Sequence, residues 1–333
     1  MQREGICVAG SIIADCFYEV DTYPDEGFLS VVRSSAVHIG GSGNLILDLS
    51  KLDADLNVKI CAVVGKDDKG SELLKSLKMY TNIDISDVFC EGESSVTLVM
   101  NANDSKQRTF FYIPGASDVF DESYIKWDNI RSKIFHLEYL LLMKKVDSPD
   151  AEYGTHGARI LAEAKKRGMI TSFDMVSEQS DRVSEVIRPA LKFTDICCIN
   201  ESEAEAVTGI RISDGGVVSD ERAYEALYAL RELGVSRWIV IHSPARSYGL
   251  DVMENRTVCV HSLKLPSGYI KGTTGAGDAF CSGILYGAHG EYSIDEAMRL
   301  AVACAASSLS ENNGTDGMRT KDEVLSLYDI YES

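Results

Sequence analysis

From residue 134 onward the chain repeats one unit, a short apolar run followed by an amphipathic stretch, and this repeat limits the fold more than any other feature. Residues 134–138, 169–173, 195–199 and 237–241 are rich in apolar and β-branched side chains, as buried strands are. Between them, residues 154–167, 185–192 and 219–233 carry helical spacing, and the first and third of these stop at Gly168 and Gly234. That alternation predicts a parallel sheet with helices on both faces. Residues 257–265 add strand-like sequence, and residues 293–308 and 321–331 read as closing helices.

The N-terminal part departs from this rhythm. Residues 5–10 (Gly-Ile-Cys-Val-Ala-Gly) predict a buried strand that ends at Gly10. Asp15 then lies just past a strand's C-terminal end, where open α/β sheets place ligand groups. It is either a turn residue or an acceptor for the hydroxyls of a polyol. Residues 16–39 hold strand-like sequence around Tyr23-Pro24-Asp25-Glu26-Gly27, and residues 96–100 and 107–113 read as a hairpin across 101–105. Neither region is followed by a crossover helix, so together they predict a small sheet set apart from the main one. Arg108, in the hairpin, either reaches a ligand or is a solvated strand arginine. Between these regions, residues 58–64 read as a strand, residues 65–70 as a turn, and Leu73, Leu74 and Leu77 mark a helix.

Three helix starts carry candidate chemistry. Lys271-Gly272-Thr273-Thr274-Gly275-Ala276-Gly277-Asp278-Ala279-Phe280 is a glycine-rich loop that turns abruptly into helical sequence. Backbone N–H groups and the helix dipole at such a place suit a phosphate or a developing anion. Asp278, in the first turn, would repel a phosphate. It is better suited to take a proton from a hydroxyl that attacks phosphorus, or it is an ordinary acidic first-turn residue. The loop is neither a Walker A sequence nor the dinucleotide G-x-G-x-x-G. Gly40-Gly41-Ser42-Gly43-Asn44 opens a second helix, where backbone can approach a ligand closely and Asn44 offers a donor and an acceptor, or serves as a cap. Asn200 and Glu203, one helical turn apart after a strand, either serve a Mg²⁺ ion through water or form a helix cap.

Composition narrows the partners. A formal net charge of -18 argues against nucleic acid, which wants a basic face, and against anionic membrane surfaces. No apolar run approaches the ~18 residues of a membrane span. The nine cysteines are scattered, odd in number and without a CxxC, which fits a reducing, cytoplasmic setting rather than a disulfide framework. No signal peptide is expected from the first residues, and no zinc-ligand spacing occurs.

In order and spacing these motifs resemble the ribokinase/PfkB family of carbohydrate and nucleoside kinases, over nearly the whole chain. Gly272–Phe280 is similar to the family's C-terminal signature, usually written DTTGAGDAF, and residues 40–44 resemble the N-terminal one. Gly10-Ser11 with Asp15, residues 64–70 and the Asn200/Glu203 pair also fall in family order. The resemblance implies one domain over 1–333, a ribokinase-like three-layer α/β sandwich with a mostly parallel central sheet and a small β-sheet lid, its strands within about 16–39 and 95–114. It implies an ATP-dependent sugar kinase with Asp278 as general base and the amides of Gly275, Ala276 and Gly277 as anion hole. Asp15, Gly41 and Asn44 would hold the sugar, with Arg108 reaching in from the lid. Asn200, Glu203, Thr273 and Gly314 would serve the nucleotide, Glu203 acting on Mg²⁺ through water. Residues 303–314 would line the adenine pocket.

Two departures stand out. Gly272 replaces the aspartate that helps bind a monovalent cation in K⁺-activated members, which leaves that cation open. Residues 242–247 (His-Ser-Pro-Ala-Arg-Ser) replace a glycine-containing turn near the nucleotide. The acceptor alternatives are a nucleoside, with Phe17, Tyr18, Phe110 and Tyr112 as base pocket, or a sugar phosphate, with Arg33, Lys106 and Arg108 as cations. A catalytically weak sugar-binding regulatory protein is the reading from outside the enzyme class. A homodimer through the lid is expected, because small sheets with an apolar face seek cover.

Overall fold

The computed structural model describes residues 3–105, 107–178, 180–215 and 217–331. Its strands are β1 Ile6–Val20, β2 Val32–Gly41, β3 Val58–Val64, β4 Ile83–Cys90, β5 Ser95–Ala102, β6 Arg108–Ile113, β7 Ile134–Leu140, β8 Ile170–Met175, β9 Ile196–Asn200, β10 Trp238–His242, β11 Arg246–Asp251 and β12 Arg256–His261. Its helices are α1 Ser42–Leu52, α2 Asp68–Leu77, α3 His156–Lys166, α4 Arg182–Leu191, α5 Glu201–Thr208, α6 Asp220–Glu232, α7 Ala276–His289, α8 Ile294–Ser308, α9 Lys321–Leu325 and α10 Leu327–Tyr331. The central sheet runs β12-β11-β10-β9-β8-β7-β1-β3-β4, parallel from β10 to β4 and antiparallel at the β10–β11 and β11–β12 edge.

Successive residues of the central strands point to opposite sides, and both sides are apolar. Val8, Cys198 and Val240 join the core under α1, α2, α7 and α8; Ala9, Cys197 and Ile239 join the core under α3–α6. A sheet buried on both faces needs such continuous apolar runs, and they produce a three-layer sandwich. Helix starts are fixed locally. Asp67 caps α2 by accepting from the Gly70 N–H at 2.8 Å, and Ser293 with Glu296 forms a capping box on α8. α7 and α8 pack so closely that a Cβ at Gly283 would lie 2.5 Å from the Ala301 Cα.

Several expected boundaries differ. The first strand does not end at Gly10. That glycine has φ 142 and passes so tightly against β7 that a Cβ would strike the Glu138 carbonyl, and the strand continues to Val20. Its first half pairs with β3 and β7, and its second half with β2 and β5. Asp15 is therefore no turn residue; it stands mid-strand, opposite His38 and Thr97. Residues 12–20, β2, β5 and β6 make one lid sheet, so the two helix-free regions do complete each other. The edge strand β4 and the penultimate strand β11 at the other side of the sheet were not foreseen. Residues 242–247 are a hairpin between β10 and β11, closed by the Ser243 N–H on the Arg246 carbonyl at 3.0 Å. The closing segment breaks into α9 and α10 at Ser326. Lys106 lies outside the described residues.

Candidate active site

Two glycine-rich helix starts, distant in sequence, meet at the mouth of the sheet. Gly275 sits before α7 in the left-handed region at φ 77, Gly41 before α1 at φ 61, and neither helix has a side-chain cap. Asp278 and Asn44 each lie in the first turn, and the Asn44 amide donates to Asp278 Oδ2 at 2.9 Å. The Tyr139 phenol, at the end of β7, donates to the other oxygen, Oδ1. Asp278 is 8 % exposed. Burial pushes its carboxyl above the usual range, and the Tyr139 and Asn44 hydrogen bonds pull it back. Gly314 is wedged behind this pair: a Cβ there would meet the Asn44 amide at 2.6 Å, and one at Gly275 would fall on the Gly314 backbone.

Around Asp278 lies a shell of carboxyls. Glu138 and Asp174, at the ends of the neighbouring strands β7 and β8, are buried, and one oxygen from each lies within 4.8 Å of the others and of Asp278. Glu138 Oε1 has no protein partner, while its Oε2 meets His136 Nε2 at 3.0 Å. Asp48, one turn beyond Asn44, is fully buried with both oxygens unpartnered. Burial, followed by the Asp278 charge, pushes Asp48 and Glu138 well up. Asp15 is driven to about 7, first by burial, and its carboxylate rests on Gly40: a Cβ there would overlap it. The close approach is thus at Gly40, whereas a Cβ at Gly41 would strike the Ser11 carbonyl.

Asn200 and Glu203 form a capping box on α5: the Glu203 N–H reaches Asn200 Oδ1 at 2.9 Å, and the Asn200 N–H reaches Glu203 Oε2 at 2.9 Å. Ser177 Oγ donates to Glu203 Oε1 at 2.7 Å. Burial raises Glu203 to about 7, and its charge in turn raises Asp174. Hard oxygen donors clustered this way fit Mg²⁺, whose charge would relieve their mutual repulsion.

On the other side of the α7 amino end is a cavity of about 540 Å³. Thr273, Ala276, Gly277 and Asn200 form its polar end, and Val302, Ala305, Ala306 and Leu309 of α7's neighbour and its exit form an apolar wall. His242 lines it too, its ring stacked 4.9 Å from that of Phe280 and 3.8 Å from a Cβ placed on Gly277. Burial lowers the His242 ring to about 4, so it is neutral near pH 7. Arg108 crosses from the lid to the loop: one guanidinium nitrogen donates to Thr274 Oγ1, and a Cβ at Gly272 would lie 2.9 Å from another. Arg33, by contrast, is spent on Asp21.

Tyr139, Glu138, Asp174 and Asp48 were not singled out from sequence. Two carboxyls at the C-terminal ends of adjacent strands were a usable signal for Glu138 and Asp174; Tyr139 had none.

The arrangement sets a buried carboxyl in the first turn of a glycine-started helix, with a largely apolar cavity on the helix end's other side. The model of the pfkB family carbohydrate kinases matches residues 3–321. A ribokinase of Haemophilus influenzae is 23% identical over 331 residues, which covers 97% of this chain and 98% of that protein. A probable chloroplastic fructokinase-6 of Arabidopsis thaliana is 25% identical over 331 residues, covering 93% and 80%. The structure of Arabidopsis thaliana ribokinase complexed with ribose and ATP superposes with a TM-score of 0.79 at 19% identity, over 98% of this chain and 99% of the other. The chain belongs to the pfkB family of carbohydrate kinases, phosphotransferases that use an alcohol group as acceptor.

Proposed function

We propose that the protein transfers the γ-phosphoryl group of MgATP to a hydroxyl of an unphosphorylated sugar, with Asp278 as general base. The observation that carries this is the buried Asp278 carboxylate in the first turn of α7, on a helix end that also opens onto the apolar cavity. Asp278 takes the hydroxyl proton as the oxygen attacks phosphorus. The amides of Gly275, Ala276 and Gly277 receive the charge that develops on the phosphoryl oxygens. Asp15, Asn44 and the backbone at Gly40 and Gly41 orient the sugar. Thr273 and Asn200 face the nucleotide, and Gly314 acts by holding Asn44 and Gly275 in place. Mg²⁺, when bound, neutralises phosphate charge; Glu203, through water, and Asp174 are the residues that would hold it.

An unphosphorylated acceptor is favoured because, among the described residues, the two arginines named for a sugar phosphate are committed: Arg33 to Asp21 and Arg108 to Thr274. With Arg108 standing where a carboxylate at position 272 would project, we expect K⁺ to leave the rate unchanged; K⁺ activation in the coupled assay would contradict this. The lid exposes Phe28 (77%), Leu29 (86%) and Phe110 (57%), and a second copy covering this face accounts for them. The nine free thiols suit a reducing cytoplasm. Among the described residues no helix is long and apolar enough to cross a membrane.

The test is ADP release across a panel of pentoses, hexoses, keto-deoxy acids, nucleosides and sugar phosphates. A strong sugar hit that disappears in Asp278→Asn is expected. A hit on nucleosides or sugar phosphates alone would move the acceptor assignment, and a sugar that raises the melting temperature with no turnover would favour a binding protein.

A further inference from the structure

Both carboxylate oxygens of Asp278 have a side-chain partner. Asn44 holds Asp278 Oδ2, and the oxygen left for an incoming hydroxyl, Oδ1, is taken by the Tyr139 phenol. A hydroxyl hydrogen-bonded to this carboxylate, beside the loop that receives a phosphoryl group, is the position an acceptor hydroxyl must take. Tyr139 is half-buried at the end of β7, next to Glu138 in the chain and on the strand that pairs with the one carrying Asp174. It is attached to a rigid strand, so it cannot advance to become the nucleophile as a diffusible acceptor does, but it can yield the oxygen to a sugar that makes more contacts.

The competing reaction is plain. Water placed on Oδ1 would attack the γ-phosphorus of bound ATP, pass a proton to Asp278, and release inorganic phosphate as the bond to the β-phosphate oxygen breaks and ADP leaves. Kinases must suppress this hydrolysis, because water is present at far higher concentration than any sugar. We propose that the Tyr139 phenol stands in for the acceptor hydroxyl while the sugar site is empty and so keeps water off Asp278. This rests on the assignment of Asp278 as base and ATP as donor. Tyr139 is then a positioning residue that discriminates sugar from water, and it is specific to this chain's side chains, not to the helix-end geometry.

The test needs no knowledge of the sugar. The full-length protein and its Tyr139→Phe variant are given MgATP alone, and ADP and phosphate release are followed. The phenyl ring keeps the packing while a hole the size of a hydroxyl opens beside Asp278. Acceptor-independent hydrolysis should rise at least about ten-fold, the scale expected when an ordered catalytic group gains access to water. Tyr139→Met, which also lacks the hydroxyl, should show the same rise, and Tyr139→Phe combined with Asp278→Asn should remove it. Melting curves establish that each variant is folded. Hydrolysis within two-fold of the parent in both folded single variants overturns the proposal, as does a rise that survives Asp278→Asn. Failure of the underlying assignment reads differently: Asp278→Asn alone would still phosphorylate D-ribose or D-fructose wherever the parent does.

Discussion

The two sides of the α7 amino end could hardly differ more. On the proposed nucleotide side the wall is largely apolar: Val302, Ala305, Leu309, and a His242 ring that burial keeps uncharged, with Glu201 at its polar end. On the acceptor side Asp15, Asp48, Glu138, Asp174 and Asp278 crowd together, most of them pushed towards their neutral forms by burial and by one another. A largely apolar slot accepts a flat heterocycle at low desolvation cost. A carboxyl-rich pocket suits a polyol, whose hydroxyls donate hydrogen bonds that each acid can accept. If one helix end serves two ligands, as proposed, the contrast teaches that the groups behind it, not the helix, set what each side tolerates.

If the two sides are separable, substitutions should split the two Michaelis constants. Of the substitutions that leave Asp278 in place, Asn44→Ala is expected to have the larger effect, because it strips a donor from Asp278 and a contact from the sugar. A hydrogen bond to a charged group is worth ~1.5–3 kcal/mol, so kcat/KM for the sugar should fall by roughly 10- to 100-fold while KM for ATP holds. His242→Ala removes a ring of the nucleotide wall. It should raise KM for ATP by about five-fold and leave the sugar's KM alone, and a shift in both would break the division.

A smaller effect concerns pH. Asp15 and Glu203 titrate near 7 in the folded protein, above the ordinary carboxyl range. In the window from about 4.5 to 7 the native state therefore binds more protons than the unfolded chain, so stability falls as pH rises through it. The melting temperature of the ligand-free protein should drop by on the order of a few degrees between pH 5 and 7.5. Mg²⁺ with ADP should offset the loss. A flat profile would mean these carboxyls are better solvated than their burial implies.

Much of this architecture was legible in the chain. Apolar runs alternating with helical spacing from residue 134 onward specify a doubly covered sheet, and strand pairs without crossover helices specify a lid. The Gly275–Asp278 stretch announces a glycine-started helix with an acid in its first turn, as found. What escaped was set by tertiary contact. Gly10 looks like a strand's end, because glycine usually interrupts apolar runs; here it lets β1 slide past the Glu138 carbonyl and carry Asp15 into the lid. Tyr139 reads as one more strand aromatic, and only the convergence of β7 with α7 gives its hydroxyl a partner. Arg108 reads either as reaching a ligand or as a solvated strand arginine, and only the lid folded over the loop shows it on Thr274 and Gly272.

The central claim is that Asp278 takes the acceptor's proton and is not merely part of the sugar's cradle. Its most direct test is single-turnover transfer from MgATP to the best sugar of the panel, with calorimetric binding of that sugar measured on the same Asp278→Asn preparation. The account predicts a transfer rate lower by about 10²- to 10⁴-fold with the sugar's affinity within a few-fold of the parent's. Transfer at near the parental rate would contradict it, whatever happened to binding.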